Sequence, residues 1–247
     1  MNKKILGIVG IRSGSKGVKN KNIKFFAGKP LVGWILETAK KSKYINRLIV
    51  STDSKIYSRY AKRFGAEVPC LRPKILATKD SIEIEYVKHM LNFLRKEENY
   101  IPDIVVRMLA TVPLQHTKDI DSVVSHLIKD KEVDTSIVIA EAKQHPLKAL
   151  RIKIDRNKKK YIVGYFKNTT KAIASNTNRL HLPKAYFRAN VIATRTEIII
   201  KRNSLIGKKV KFKVIPQERS VDIDTNLDFS FAEFIYKNII KKKKNIN

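Results

Sequence analysis

The chain has 247 residues, 43% of them hydrophobic, with 52 Lys and Arg against 22 Asp and Glu, a formal charge of +30. That length can bury one sizeable core, and no apolar run reaches the roughly 18 to 20 residues that span a membrane. Cys70 is the single cysteine, which leaves no intrachain disulfide and no cysteine zinc site.

The first apolar run, "ILGIVGI" (residues 5–11), is short and bounded by turn formers, and predicts a buried strand. It leads into "RSGSKGVKNKN" (12–22), where Arg12, Lys16, Lys19 and Lys21 crowd a glycine-rich turn. Four like charges in one turn repel unless water or an anion separates them. A basic, glycine-rich turn after a strand is a place where backbone N–H groups ring a phosphate. Neither the Walker pattern nor G-x-G-x-x-G occurs. In a chain this basic, the turn alone also reads as background charge.

Helical and strand patterns then alternate. "PLVGWILETAKKSK" (30–43) predicts a helix opened by Pro30. "RLIVST" (47–52) predicts a strand, and "SKIYSRYAKRFG" (54–65) a helix closed by Gly65. A longer helix is expected over "SIEIEYVKHMLNFLRKEE" (81–98) and a strand over "DIVVRML" (103–109). "KDIDSVVSHLIKD" (118–130) and "DTSIVIAEA" (134–142) give one more helix and strand. Such alternation implies a mostly parallel sheet covered on both faces, with ligands at the strand C-terminal ends.

From 142 to 185 the pattern changes. "KQHPLKALRIKIDRNKKKYIVGYF" (143–166) reads as antiparallel strands around a polar turn, and the remainder as irregular. Alternation resumes with "YFRANVIATR" (186–195) and "VKFKVIP" (210–216), and ends in the helix "NLDFSFAEFIYKNII" (226–240). The expectation is one domain, 1–247, with an inserted lobe at 142–185 and a solvated basic tail at 241–247.

Four loops fall at strand ends: 11–22, "STD" (51–53), "ATVPLQ" (110–115) and "SVDIDT" (220–225). In the last, Asp222 and Asp224 alternate around one apolar residue, so an extended segment turns both carboxylates to one side. Two adjacent carboxylates repel unless a cation sits between them, and such oxygen ligands suit Mg²⁺. Taken alone, the pattern reads rather as a loop before a helix, with Asp224 as the N-cap.

The charge excess is diffuse and heavy in Lys, in a chain also rich in Ile and Asn, and no nucleic-acid recognition motif accompanies it. The five histidines are scattered without metal-ligand spacing. "MNKK" and the short apolar run after it lack the length and cleavage site of a signal peptide. A cytoplasmic enzyme with neither nucleic-acid nor membrane partner is expected.

"RSGSKGVKNKN", "VSTD", "GAEVPCLRP", "HPLK" and "VDIDT" stand in the order and spacing of the CMP-sialic acid synthetases. The chain resembles this family, with the CMP-KDO synthetases as cousins, from Ile5 to Phe234. The resemblance implies a Rossmann-like α/β/α nucleotidyltransferase fold and the transfer of CMP from CTP to a nine-carbon sugar acid, releasing pyrophosphate. It implies Mg²⁺ as cofactor, and a homodimer whose inserted lobes complete each other's sugar pockets. Arg12, Ser15, Lys16, Lys21 and Asn22 fall on the family's nucleotide loop, with Arg12, Lys16 and Lys21 screening the departing pyrophosphate. Arg72 lies where the family holds the base, and Asp222 and Asp224 match its metal ligands. Lys148 and Arg179 match sugar-carboxylate contacts.

This chain departs from the family pattern in several places. Gly10 and Ile11 replace a Pro-Ala pair, and Leu109 to Gln115 replace "QPTSPLR". Leu180 and Val191 replace a Gln and a Gly. The sugar therefore stays open among sialic, legionaminic, pseudaminic and related acids. A CMP-KDO synthetase, another sugar nucleotidyltransferase and a non-catalytic anion-binding module are the alternatives.

Overall fold

In the computed structural model the described residues are 3–15, 17–166, 178 and 181–241. Lys16, Arg179 and most of the stretch expected to be irregular lie outside them.

Strand β1 (Ile5–Gly10) is buried along almost its whole length, as its unbroken apolar run requires. It pairs in parallel with β2 (Arg47–Ser51) on one side and β3 (Ile104–Met108) on the other. The later strands are β4 (Thr135–Glu141), β5 (Leu150–Ile154), β6 (Lys160–Gly164), β7 (Tyr186–Arg195) and β8 (Val210–Ile215). The main sheet has six strands in the order β8-β4-β7-β3-β1-β2, with β7 antiparallel to β3. The sheet is mostly parallel and flanked by helices, an α/β architecture.

Helix α1 (Leu31–Lys40) begins after Pro30 and buries Leu31, Val32, Ile35, Leu36 and Ala39, the spacing of one helical face. Helix α2 (Lys55–Arg63) is capped by Ser54, whose hydroxyl accepts from Tyr57 N, and the chain leaves it through Gly65 at φ +77°. Helix α3 (Glu83–Glu98) buries Ile84, Val87, Met90, Leu91 and Leu94, which pack with Leu6, Ile8 and Ile49 of the central strands. Helix α4 (Thr117–Lys129) precedes β4.

A helix the sequence reading did not anticipate, α5 (Thr196–Arg202), follows β7 directly. Its β-branched run favours a strand by propensity. Tertiary packing decides otherwise, because Ile199 is fully buried in the cluster built on α3. Glu197 in the first turn and Lys201 in the last pair at 3.3 Å and suit the helix dipole.

Helix α6 (Asn226–Ile235) corrects one expectation. Its N-cap is Thr225, not Asp224: the Thr225 hydroxyl accepts from Asp228 N, and Asp228 accepts from Thr225 N at 2.7 Å. Asp224 is therefore not occupied in capping. Before α6, Val221 and Ile223 are buried with Phe26, Leu31, Leu114 and Phe229. Asp222 and Asp224, between and after them, are turned outward.

By its contacts the chain divides into two compact units, Met1–Ile139 with Arg188–Asn247, and Ala140–Phe187. In the second, β5 and β6 form an antiparallel hairpin in which Ile152 lies opposite Ile162. Asp155 closes the turn by accepting from Asn157 N and Lys159 N, both at 2.9 Å.

The end of β1 shows how closely the fold is fitted to its cavity. A Cβ at Gly10 would lie 2.6 Å from the ring of Tyr86, itself 5% exposed and packed in the α3 cluster. Gly10→Ala should cost about 1–3 kcal/mol, as overpacking of a filled core does. Urea denaturation reads this directly, and an unchanged midpoint would mean that the Tyr86 ring yields.

Candidate active site

The residues that leave the C-terminal ends of β1 and β3 meet the start of α3 and the segment before α6 around a cavity of about 340 Å³. Arg12, Ser15, Gly17, Lys21, Asn22 and Asp224 contribute to its wall. So do Arg72, Ser81, Glu83, Tyr86 and Leu109.

The basic turn is held by its own polar atoms. Ser15 Oγ donates to Val18 O at 2.7 Å and accepts from Lys21 N at 3.1 Å. Asn22 is buried and donates to Arg12 O at 3.2 Å. Asp53, at the end of β2, takes the start of the turn with both oxygens: Oδ1 accepts from Ser13 N at 2.8 Å and Oδ2 from the Ser13 hydroxyl.

Lys21 then crosses to the other loop. Its Nζ donates to Ile223 O at 2.6 Å and pairs with Asp224 Oδ1 at 2.9 Å. Gly17 is the second point of contact, since a Cβ there would meet Asp224 O at 2.1 Å, a backbone atom that cannot turn aside. Only glycine lets the two loops lie this close.

Arg72 is buried and pinned to the end of β2, with Nε on Ser51 Oγ at 3.0 Å and Nη2 on Ser51 O at 2.6 Å. Its guanidinium lies 4.5 Å from the centre of the Tyr86 ring. Burial lowers its pKa, with Tyr86 and Asp53 opposing that shift and Arg12 adding to it. An arginine stays charged through such a shift.

Asp222 can be reached by solvent, yet protein surrounds enough of its carboxyl for desolvation to raise its pKa. Thr111 and Lys21 oppose the rise, while Asp224 and Asp228 add to it. A cation beside the two carboxylates would remove the repulsion between them. Among the described residues no group of three His, Cys, Asp or Glu side chains is placed to hold a metal. Asp222 and Asp224 offer two oxygen donors on one side of their loop, a donor chemistry suited to hard cations.

Lys148 belongs to the second unit. It lies in a short turn that opens at His145, beside Tyr165, Phe166 and Phe187. The His145 ring accepts from Leu147 N at Nδ1 and lies 2.8 Å from Pro183 O at Nε2, so Nε2 carries the proton. Lys16 and Arg179 lie outside the described residues.

Three features were not found from the sequence. Arg219 pairs with Asp119, 2% exposed, at the first turn of α4. Gln115 donates to that same carboxylate at 2.8 Å. Arg219 comes from the strand-to-helix segment that carries the aspartates, so this pair ties that segment to α4. Asp53 and Glu83 are the other two. "STD" marked a loop end but gave no partner for Asp53, and Glu83 reads in sequence only as an acid in the first turn of a helix.

The fold and the cavity define a nucleotide-handling α/β enzyme. The cytidylyltransferase family model matches residues 6–238, and the chain belongs to that family. An N-acylneuraminate cytidylyltransferase of Escherichia coli is 28% identical over 99% of this chain and 54% of its own length, so the chain spans about half of that relative. A CMP-N,N'-diacetyllegionaminic acid synthase of Campylobacter jejuni is 28% identical over 94% of each chain. A structure of CMP:2-keto-3-deoxy-manno-octonic acid synthetase complexed with CTP shares the fold, with a TM-score of 0.67 at 11% identity over 95% of this chain and 98% of that one. No helix among the described residues is long and apolar enough to cross a membrane.

The state of Asp222 has a measurable consequence without any substrate. A carboxyl whose folded pKa lies above its unfolded value stabilises the fold at low pH and loses that contribution as pH rises through the folded pKa. In chelator-treated protein, Asp222→Asn should therefore melt higher than wild type at neutral pH. The gap should close as pH falls below the ordinary carboxylate range. A lower melting temperature for Asp222→Asn at neutral pH would contradict the raised pKa.

Proposed function

We propose that the protein transfers CMP from CTP to a nonulosonic, sialic-type acid, giving the CMP-sugar and pyrophosphate for surface glycan synthesis in the cytoplasm. The observation that carries this reading is the meeting of Arg12 and Lys21 with Asp224 in one cavity of a cytidylyltransferase fold. The named relatives favour a nine-carbon acid over KDO as acceptor.

In the proposed reaction the anomeric 2-hydroxyl of the sugar acid attacks the α-phosphorus in line. A new P–O bond forms as the bond to the β-phosphate oxygen breaks, and the hydroxyl proton is lost to solvent or to a base. Arg12, Lys16 and Lys21 face the charge that collects on the leaving pyrophosphate, and donors set in advance are often worth about 10²–10³ in rate each. Ser15, Asn22 and the turn's amides hold the loop and its phosphate contacts, while Arg72 offers donors to the base. Lys148 and Arg179 take the sugar carboxylate. Asp222 and Asp224 would hold Mg²⁺, which when bound screens phosphate charge and orients the triphosphate.

The inserted lobe is proposed as the dimer contact. Leu150, Ile152, Ile154 and Ile162 are each at least half exposed. By their alternation and register they share one face of the hairpin. A second copy of the chain is the proposed cover. Light scattering should give about twice the chain's 28.4 kDa, and a fully active monomer would count against it. The basic tail, 241–247, is proposed to be dispensable for turnover.

Pyrophosphate release across CTP, UTP, ATP and GTP, with nonulosonic acids and KDO as acceptors, tests the reaction. CTP with a nine-carbon acid should stand alone. Equal rates with ATP or GTP would refute the cytidine assignment, and turnover of KDO alone would move the chain to the cousin activity. Asp222→Asn and Asp224→Asn should each lower turnover by orders of magnitude across a Mg²⁺ titration. The double variant should be little worse than either, because both serve one site. Lys148→Ala should chiefly raise KM for the sugar acid.

A further inference from the structure

We infer that Glu83 reads the exocyclic amine of the base and so sets the preference for cytidine over uridine, an inference that rests on the proposed cytidylyl transfer.

The charged groups of the cavity form two groups by their contacts. Lys21, Gly17 and Asp224 are joined where the basic turn meets the carboxylate loop, and this is the phosphate end. Arg72 and Tyr86 are joined at 4.5 Å, Tyr86 lies against Gly10, and Glu83 opens the helix that carries Tyr86. This second group has an aromatic ring and an apolar wall at Leu76 and Leu109. A flat, partly polar base suits an aromatic ring, an apolar wall and the donors of one arginine.

Among the described residues of this second group, Glu83 is the one carboxylate that lines the cavity. Its side chain is 35% exposed, and Oε2 lies 3.4 Å from Arg107 Nε. Arg107 is 3% exposed and donates through Nη1 to Asn190 O at 2.7 Å, so it is anchored in the sheet, while its Nε makes an ion-pair contact with Glu83 and no hydrogen bond. Asn190 also clamps Leu109, accepting from its N at 2.6 Å and donating to its O at 3.3 Å. Asn190 therefore holds both Leu109, a wall of the cavity, and Arg107, the ion-pair partner of Glu83.

A carboxylate only accepts hydrogen bonds, and a guanidinium only donates. Cytosine presents an amine donor beside ring acceptors, whereas uracil places a carbonyl acceptor where the amine would be. With Arg72 committing two of its groups to Ser51, its remaining N–H groups are left for ring acceptors. Glu83 then matches the amine of cytosine and repels the carbonyl of uracil. Sites that pair with a polar group reject the analogue lacking it strongly, because their own buried groups are left unpaired.

The plainer alternative is that Glu83 is only the counter-ion of Arg107. The test is a cycle between protein and nucleotide, using CTP, UTP and a CTP analogue without the 4-amino group. Wild-type kcat/KM should fall at least about tenfold on loss of the amine. In Glu83→Gln, whose amide both donates and accepts, that penalty should shrink to within about threefold, and the CTP to UTP ratio should drop at least about tenfold. Glu83→Asp keeps a charge beside Arg107 but withdraws it from the cavity, and should lower the CTP to UTP ratio with an unchanged melting temperature. Loss of activity by the same factor on all three nucleotides, in both variants, overturns the inference and leaves Glu83 as a counter-ion. A wild-type enzyme that releases no pyrophosphate from CTP would instead sink the cytidylyl reading, and this inference with it.

Discussion

Lys21 joins the two loops of the cavity by reaching a carboxylate loop more than 200 positions away in the chain. Its ammonium has three donors; one goes to Ile223 O and one to Asp224, leaving a third directed by the other two. This resolves the crowding of cations in the basic turn. Part of the repulsion is offset within the protein by Asp224, and the turn is tied down instead of splayed into water. The chemistry of Lys21 is that of a fixed positive charge.

Such a contact needs both loops to arrive at the right depth, and apolar packing does this on one side. Val221 and Ile223 are drawn into the cluster with Phe26, Leu114 and Phe229, so the intervening carboxylates have no choice but to face outward. On the other side, Asp53 takes the first amide and hydroxyl of the basic turn, and Gly17 removes the Cβ that would hold the loops apart. Arg219 adds a tether just ahead of the aspartates. Removing it would leave Asp119 buried with a charge no longer fully paired, which commonly costs about 3–5 kcal/mol.

Much of this architecture is legible in the sequence because it rests on local rules. The apolar run of β1, Pro30 before α1 and Gly65 after α2 each state their structure without reference to anything distant. The outward pairing of Asp222 and Asp224 follows from alternation alone. What could not be read depends on contacts between distant segments. "TEIIIKR" becomes helical because Ile199 has a place in the α3 core, and no propensity records that. The cap of α6 fell one residue from its expected position, since Thr225 has Asp228 as a reciprocal partner and Asp224 has Lys21. Arg219 is one basic residue among 52 Lys and Arg, and only the fold reveals that its partner is buried.

That excess of positive charge also takes on a different meaning once the cavity is known. Among the described residues, its charged lining is Arg12, Lys21 and Arg72 against Glu83 and Asp224. Cations and carboxylates thus stand side by side in the described lining, in a protein of formal charge +30. Exposed lysines more than about 10 Å from a ligand are largely screened at ordinary ionic strength. Attraction of a polyanion to the protein at large is therefore a different matter from its capture in this site. Capture depends on where the few cavity charges are fixed: Lys21 by a carboxylate, Arg72 by Ser51, and the basic turn by Asp53. A set of fixed charges of both signs can distinguish one nucleotide from another, which a uniform positive field cannot do.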